Sequence, residues 1–164
     1  MKDIDKTPVR QYRVHKILAH SYTMYFTLFL VGVFLDIFFS ARGEFASGGE
    51  FFASPIMIVF SILLLIIATL LILWAQKTSR NLDIKDLSKE TFCKGPYCYT
   101  RSPTHWGLFF LILGFGIIAN AFFVILFTLI SFLIAKFVFL NKQEAVLAEK
   151  YGTHYLEYKK MVKF

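Results

Sequence analysis

The stretch GPYCYTRSPTHWG, residues 95–107, carries the groups best suited to binding an anion. Pro103 suits the first turn of a helix, and Ser102 is placed as its N-cap. A helix N-terminus attracts a carboxylate or a phosphate, and the permanent cation of Arg101 strengthens that attraction, with His105 one turn further on. The simpler interpretation is an interfacial turn with a snorkelling arginine and aromatic belt residues.

A second polar stretch, NKQEAVLAEKYGTHYLEYKKMVKF, occupies residues 141–164. Its tyrosines recur at helical spacing with lysines between them, which predicts an amphipathic helix on an anionic membrane surface. The same interpretation accounts for the last basic residues of the chain, namely Lys159, Lys160 and Lys163.

Gln143 and Glu144 fit that surface interpretation less well, because they directly continue an apolar run. If that run folds back on itself, the two side chains come close to Arg101 and His105 across the hairpin. A carboxylate near a cation is either part of a binding site or only a structural ion pair. The residues alone leave both interpretations open.

The elements that position these groups are membrane helices. Of the 164 residues, 57% are hydrophobic and the mean hydropathy is +0.59. That fraction exceeds the roughly 45–50% of soluble domains. Apolar runs of about 18 residues or more predict spanning helices over residues 17–39 and 56–74, where Pro55 suits a helix start.

The third apolar run, residues 106–140, is too long for one span. A single helix of that length would rise roughly 50 Å, against a hydrocarbon core of about 30 Å. We therefore predict two spans, 106–119 and 122–140, with a turn at Asn120.

Basic residues predict the orientation of these four helices. They cluster before the first helix, between the second and third, and after the fourth, whereas the first loop has only Arg42, offset by Glu44 and Glu50. The positive-inside rule then places both termini and the 75–105 segment in the cytoplasm. The predicted fold is one all-α integral membrane domain over residues 1–164, with four transmembrane helices, a tight hairpin of the last two, and a cytoplasmic C-terminal amphipathic helix.

Several functions are disfavoured by the same features. The net charge of +7 borders the membrane spans, which suits orientation and contact with anionic lipids rather than nucleic acid. We expect no signal peptide, because the first apolar run is too long, and the chain has no G-x-G-x-x-G dinucleotide motif. Cys93 and Cys98 fall on the predicted reducing side, so we expect free thiols and no metal site.

The two polar stretches together resemble the isoprenylcysteine carboxyl methyltransferase family and its phospholipid methyltransferase relatives. That signature reads approximately G-x-Y-x-x-x-R-H-P-x-Y-x-G, then a helical hairpin, then E-E-x-x-L-x-x-x-F-G-x-x-Y-x-x-Y. The resemblance covers residues 94–164, and the first two helices match only in hydropathy. The matching positions are Gly95, Tyr97, Arg101, Pro103 and Gly107 in the first block and Glu144, Leu147, Gly152, Tyr155 and Tyr158 in the second, with Tyr151 in place of Phe.

Three positions depart from that signature. Ser102 replaces its histidine, His105 replaces its tyrosine, and Gln143 replaces its first glutamate. Gln143 can still hydrogen-bond a cofactor but cannot neutralise a positive charge. The departures leave the expected fold intact and bear on the substrate, the rate and catalytic competence.

The resemblance implies a membrane methyltransferase that uses S-adenosyl-L-methionine (SAM) and releases S-adenosyl-L-homocysteine. It implies a cytoplasm-facing cofactor pocket and a lipid-like acceptor that enters from the bilayer. The cofactor carboxylate would suit Arg101, and its positive groups would suit Glu144. The implied catalytic residues are Arg101, Glu144 and His105. The implied cofactor-binding residues are Lys94, Gly95, Pro96, Tyr97, Arg101, His105, Trp106, Gln143 and Glu144.

Two alternatives accompany this interpretation. The three departures suit an inactive relative that serves as a membrane binding or scaffold protein. A four-helix proton-coupled exporter would need a carboxylate near mid-membrane, and the acid within a predicted span is Asp36. Isoprenylated cysteine carboxylate, a phospholipid amine and another amphipathic molecule are all possible acceptors, and the oligomeric state is open.

The predicted topology can be measured by cysteine labelling in intact and permeabilised cells or vesicles. A cysteine introduced at Gly43 should react from outside, and one introduced at the C-terminus only after permeabilisation, because of the lysine and arginine asymmetry. Labelling of both positions from the same side would contradict four passes.

Overall fold

The computed structural model of the chain describes residues 7–41, 54–80 and 93–162, and every regular element in these ranges is helical. A 3₁₀ turn, Gly95–Cys98, precedes the third helix, and a π-helical segment, Ala135–Leu140, joins the fourth helix to the fifth without a break. The first-loop residues used in the orientation argument lie outside the described residues. The helices are α1 (Thr7–Ala41), α2 (Pro55–Arg80), α3 (Pro103–Ile118), α4 (Phe122–Ile134), α5 (Asn141–Tyr151) and α6 (Thr153–Met161).

Three helical segments in the described ranges are long and apolar enough to cross a membrane. They are Lys16–Ser40, Pro55–Ser79 and Phe122–Glu149, so the predicted spans 17–39, 56–74 and 122–140 lie within observed segments of this kind. Helix α3 has 16 residues and rises only about 24 Å, less than the roughly 30 Å of a hydrocarbon core. The predicted third span, 106–119, and with it the total of four spans, therefore stays a prediction.

The turn between α3 and α4 lies at Asn120, as predicted. Asn120 has a φ of 51°, the left-handed region that asparagine tolerates better than most residues. The Ala119 N–H donates to the Phe115 carbonyl, and the Ala121 N–H donates to the Gly116 carbonyl at 2.8 Å. These bonds close the end of α3 and start α4 directly beside it.

Helices α2 and α3 pack through small residues spaced seven apart. Ser61, Ala68 and Ala75 are fully buried on α2, and Gly107 and Gly114 are buried on α3. A Cβ at Gly114 would lie 3.1 Å from the Ser61 carbonyl oxygen, and one at Gly107 3.3 Å from that of Ala68. Small residues at such an interface let two helix backbones approach closely where lipid gives no hydrophobic drive for association.

Asp36 of α1 caps the first turn of α4. Its Oδ1 accepts the Phe123 N–H at 3.1 Å, and its Oδ2 accepts the Val124 N–H at 3.0 Å. The first N–H groups of a helix have no partner within it, and the N-cap residue Ala121 makes no side-chain cap. The carboxylate supplies both acceptors and thereby fastens α1 to the hairpin.

The C-terminal stretch differs from the predicted surface helix. It is helical, but it breaks into α5 and α6 at Gly152, whose φ of 59° and ψ of −133° suit glycine. Tyr155, Tyr158 and Val162 are buried and pack with Cys93. The prediction that this apolar face lies on the bilayer is wrong, since the face is covered by protein.

Replacing Asp36 by leucine should lower the free energy of unfolding by about 1.5–3 kcal/mol, because two N–H groups of α4 lose a charged acceptor. Asp36→Asn keeps one acceptor and should lie between this variant and wild type. Unfolding of the purified protein in detergent measures both variants.

Ser40→Ala is the matched control, since the exposed Ser40 lines the same cavity of about 500 Å³ as Asp36. An Asp36→Leu protein as stable as Ser40→Ala would show that the capping bonds contribute nothing.

Candidate functional site

The 3₁₀ turn Gly95–Cys98 is seated against the end of α2. Gly95 has a φ of 57°, a conformation that favours glycine. A Cβ there would lie 2.6 Å from Thr78 Oγ1 and 3.0 Å from Trp74 Nε1. Both the backbone conformation and the close approach therefore require glycine at this position.

Cys93 and Cys98 form a disulfide across this turn, so the prediction of free thiols is wrong. The turn between them brings their Cα atoms to 4.5 Å, within the range that a disulfide spans. The prediction used only the redox compartment inferred from the topology, and it did not take this local geometry into account. The disulfide closes the loop that contains Lys94, Gly95, Pro96 and Tyr97.

Helix α3 begins at Pro103, as the sequence predicted. Ser102 is its N-cap, with Pro103 in the first turn, but the Ser102 side chain makes no capping hydrogen bond. Its carbonyl instead accepts the N–H groups of His105 and Trp106 at 3.1 and 3.3 Å. The predicted position of the cap is confirmed, and its predicted chemistry is not.

Glu144 holds two cations. Its Oε1 lies 2.6 Å from Arg101 Nη1, and its Oε2 lies 2.7 Å from Lys159 Nζ. The side chain of Glu144 is only 5% exposed, whereas that of Arg101 is 15% and that of Lys159 is 45% exposed. The predicted approach of Glu144 to Arg101 is confirmed. The prediction that Lys159 faces membrane lipid is wrong, because its ammonium bonds this carboxylate.

The π-helical segment determines how Gln143 and Glu144 are presented. A π turn bonds residue i to i+5 and so rotates everything that follows relative to α4, and such turns often occur at functional sites. Both side chains are buried just after it. Gln143 Nε2 has no hydrogen-bond partner among the described residues.

His105 faces α1. Its Nε2 lies 2.9 Å from Ser21 Oγ, and its ring is 6.0 Å from that of Tyr22 and 6.4 Å from that of Tyr25, measured between centroids. His105 is 4% exposed. The imidazole is thus fixed inside the helix bundle by residues that the sequence did not single out.

The remaining predicted residues divide between the site and its surroundings. Trp106 packs on Phe132 of α4 with ring centroids 4.7 Å apart, and Lys94 is exposed.

The Tyr97 carbonyl accepts a 2.6 Å hydrogen bond from the hydroxyl of Tyr158. Burial raises the pKa of Tyr158 to about 12, against the opposing effect of Arg101, so this phenol keeps its proton at neutral pH.

Two cavities adjoin this cluster. A small one of about 40 Å³ is lined by Arg101, Ser102, His105 and Trp106, together with residues of α4 and the π segment. A larger cleft of about 590 Å³ lies between α1, α2 and α3. His105 lines the first, and its neighbour Thr104 and its ring partners Tyr22 and Tyr25 line the second. The histidine therefore lies between the two spaces.

The cleft was not predicted, although a signal was present. Residues 21–25, SYTMY, put two tyrosines, a serine and a threonine into an otherwise apolar helix. Three of these residues contact either the cleft or His105. Hydroxyl groups inside a membrane span need polar partners, and that requirement pointed to a site on α1.

The fold and the site define a multi-pass membrane protein whose polar groups converge at one end of its helices. The chain matches the family model for phospholipid methyltransferase over residues 56–154, more than half of its length. It belongs to this family of membrane methyltransferases. The match begins in α2, before the resemblance over 94–164, and it ends at residue 154, before Tyr155 and Tyr158. No match was found among curated proteins or among solved structures.

SAM is the cofactor implied for such a protein, and the groups around Glu144 fit it chemically. A guanidinium suits the cofactor carboxylate, a buried carboxylate suits its ammonium and sulfonium, and the unpartnered Gln143 Nε2 is a further donor. The adjoining cavity of about 40 Å³ is much smaller than ligand pockets, which occupy about 300–1,000 Å³. A cofactor placed at this cavity would require neighbouring side chains to move.

Removing the Tyr158 hydroxyl should loosen the contact between α6 and the Gly95–Cys98 turn. Tyr158→Phe keeps the ring and removes the hydroxyl that donates to the Tyr97 carbonyl, so the free energy of unfolding should fall by about 0.5–1.5 kcal/mol. Tyr99→Phe is the control, because Tyr99 is 77% exposed. Equal stability of the two variants in detergent unfolding would show that the bond does not secure α6.

Proposed function

We propose that the protein transfers a methyl group from SAM to a lipid-like acceptor at the cytoplasmic membrane boundary, with S-adenosyl-L-homocysteine as the other product. The observation that carries the proposal is the buried Glu144–Arg101 pair beside the N-terminus of α3, in a chain of the phospholipid methyltransferase family. A charged pair at the membrane end of an apolar bundle costs desolvation, and a charged ligand there offers a reason for it.

The charges of the site suggest which residue binds which group of the cofactor. Arg101 and the N-terminus of α3 suit the carboxylate, as at other anion sites on helix ends. Glu144 suits the positive groups, with Gln143 as a neutral hydrogen-bond partner. SAM, when bound, supplies a methyl group on a sulfonium, so the residues mainly have to align acceptor and donor.

The cleft between α1, α2 and α3 supports a lipid-like acceptor. Gln76 and Thr104 give it a polar end, and Phe29, Leu65 and Phe115 line the rest. From Thr104 to Phe115 helix α3 rises about 16 Å, long enough to accompany much of an apolar chain through one leaflet. Helices α1 and α2 expose large apolar side chains around it, which suits entry from the bilayer.

The type of acceptor decides whether a proton must be moved. A carboxylate acceptor needs no general base, whereas an ammonium acceptor must first lose a proton. His105 lies between the cleft and the cavity at Arg101, and Glu144 lies beyond Arg101. These positions support His105 as the group nearer to the acceptor and Glu144 as the group nearer to the cofactor.

The alternatives gain no support from the described residues. Asp36, the acid that an exporter would need, accepts two backbone hydrogen bonds and serves as a helix cap. An inactive relative would follow from the three departures from the signature, and turnover decides that question directly.

Purified protein incubated with radiolabelled SAM and a total lipid extract should transfer label to a lipid. Glu144→Gln preserves shape and removes the negative charge, so it should lower SAM affinity or turnover at least about tenfold, a loss of about 1.4 kcal/mol. Calorimetry with SAM measures the affinity separately from the transfer.

Glu149→Gln, on the exposed side of α5, is the matched control and should bind and react as wild type does. Binding of SAM without any labelled lipid would favour the inactive relative. Full binding and full turnover in Glu144→Gln would remove Glu144 from the site.

A further inference from the structure

Glu144 binds its two cations in different environments. Arg101 Nη1 and Lys159 Nζ lie at nearly the same distance from it, 2.6 and 2.7 Å. The Arg101 side chain is mostly buried, whereas that of Lys159 is 45% exposed and belongs to the short helix α6. The lysine is therefore the partner that can leave for water with the smaller change in its surroundings.

The two cations bound by Glu144 also differ in their chemistry. The ammonium of lysine is strongly hydrated and sits on a flexible stem, whereas the guanidinium of arginine forms a planar and persistent pair with a carboxylate. A competing cation at Glu144 thus displaces Lys159 before it displaces Arg101.

The cofactor of the proposed function presents such a competing cation. We propose that Lys159 occupies the cation-binding position on Glu144 in the free protein, and that SAM binds by displacing it. This inference rests on the proposed function, because it assigns Glu144 to the positive groups of SAM. Lys159 then competes with SAM and lowers the affinity for it. Because Lys159 belongs to α6, its ion pair with Glu144 also ties α6 to the cofactor position.

A further observation agrees with displacement. Helix α6 is also held by contacts independent of the ion pair, namely the buried Tyr155 and Tyr158 and the 2.6 Å bond from Tyr158 to the Tyr97 carbonyl. The loss of the lysine contact alone leaves those contacts in place.

Calorimetry of the full-length protein in detergent tests the proposal with SAM itself as the probe. Lys159→Met keeps an unbranched side chain and removes the charge, so SAM should bind about two- to fivefold more tightly, the range expected for loss of a half-exposed ion pair. Lys160→Met removes the same charge from the next, exposed position and should leave the affinity unchanged. A purely structural role for Lys159 predicts equal or weaker binding in Lys159→Met.

The Glu144→Gln background sharpens the test. Lys159→Met should give no gain in SAM affinity there, because the carboxylate for which the two cations compete is gone. A gain that persists in that background, or one equalled by Lys160→Met, would overturn the displacement and point to the general charge of the surface. If the wild-type protein binds SAM and Lys159→Met binds it no more tightly, the displacement is wrong and the proposed function stands. If neither the wild-type protein nor any variant binds SAM, the proposed function is wrong as well.

Discussion

The polar end of the molecule depends on one buried carboxylate. An unpaired Glu144 at 4% exposure would be costly, since burying a charge requires a partner that restores the lost hydration. Arg101 and Lys159 supply that compensation from segments far apart in sequence. The start of α3, the helix after the π segment and the C-terminal helix are thereby brought to one place. The geometry of the site is a consequence of satisfying this one charge.

The apolar part of the molecule must satisfy the hydrogen bonds of its backbone, just as the polar end must satisfy the charge of Glu144. Within hydrocarbon every N–H and C=O needs an internal partner, and the start of a helix is where this is hardest. Asp36 resolves it for α4 by reaching across from α1. With that cap the chain can reverse within a few residues of Asn120. The reversal is what allows two polar stretches, separated by a long apolar run, to meet at the same end.

Much of this arrangement could be predicted because it follows from strong local signals. Apolar runs predicted α1 and α2, Asn120 marked the turn, and the hairpin predicted that Glu144 approaches Arg101. The errors concern contacts that no local pattern encodes. Lysines and tyrosines at helical spacing suit a membrane surface and a protein surface equally well, and only the docking of α6 decides between them. The disulfide depends on the conformation of the Gly95–Cys98 turn, and the cleft depends on which face of α1 meets α3.

The departures from the family signature acquire a physical meaning from the same packing. The signature has an imidazole at position 102 and a phenol at position 105, and this chain has a hydroxyl at 102 and an imidazole at 105. Position 102 is the N-cap, half-buried, whereas position 105 is inside the bundle against Ser21. The exchange therefore moves the imidazole from the rim of the site to the wall between the small cavity and the apolar cleft. Under the proposed function, the imidazole of His105 lies beside the acceptor rather than beside water. The exchange therefore affects which acceptor can be deprotonated more than it affects how the cofactor is bound.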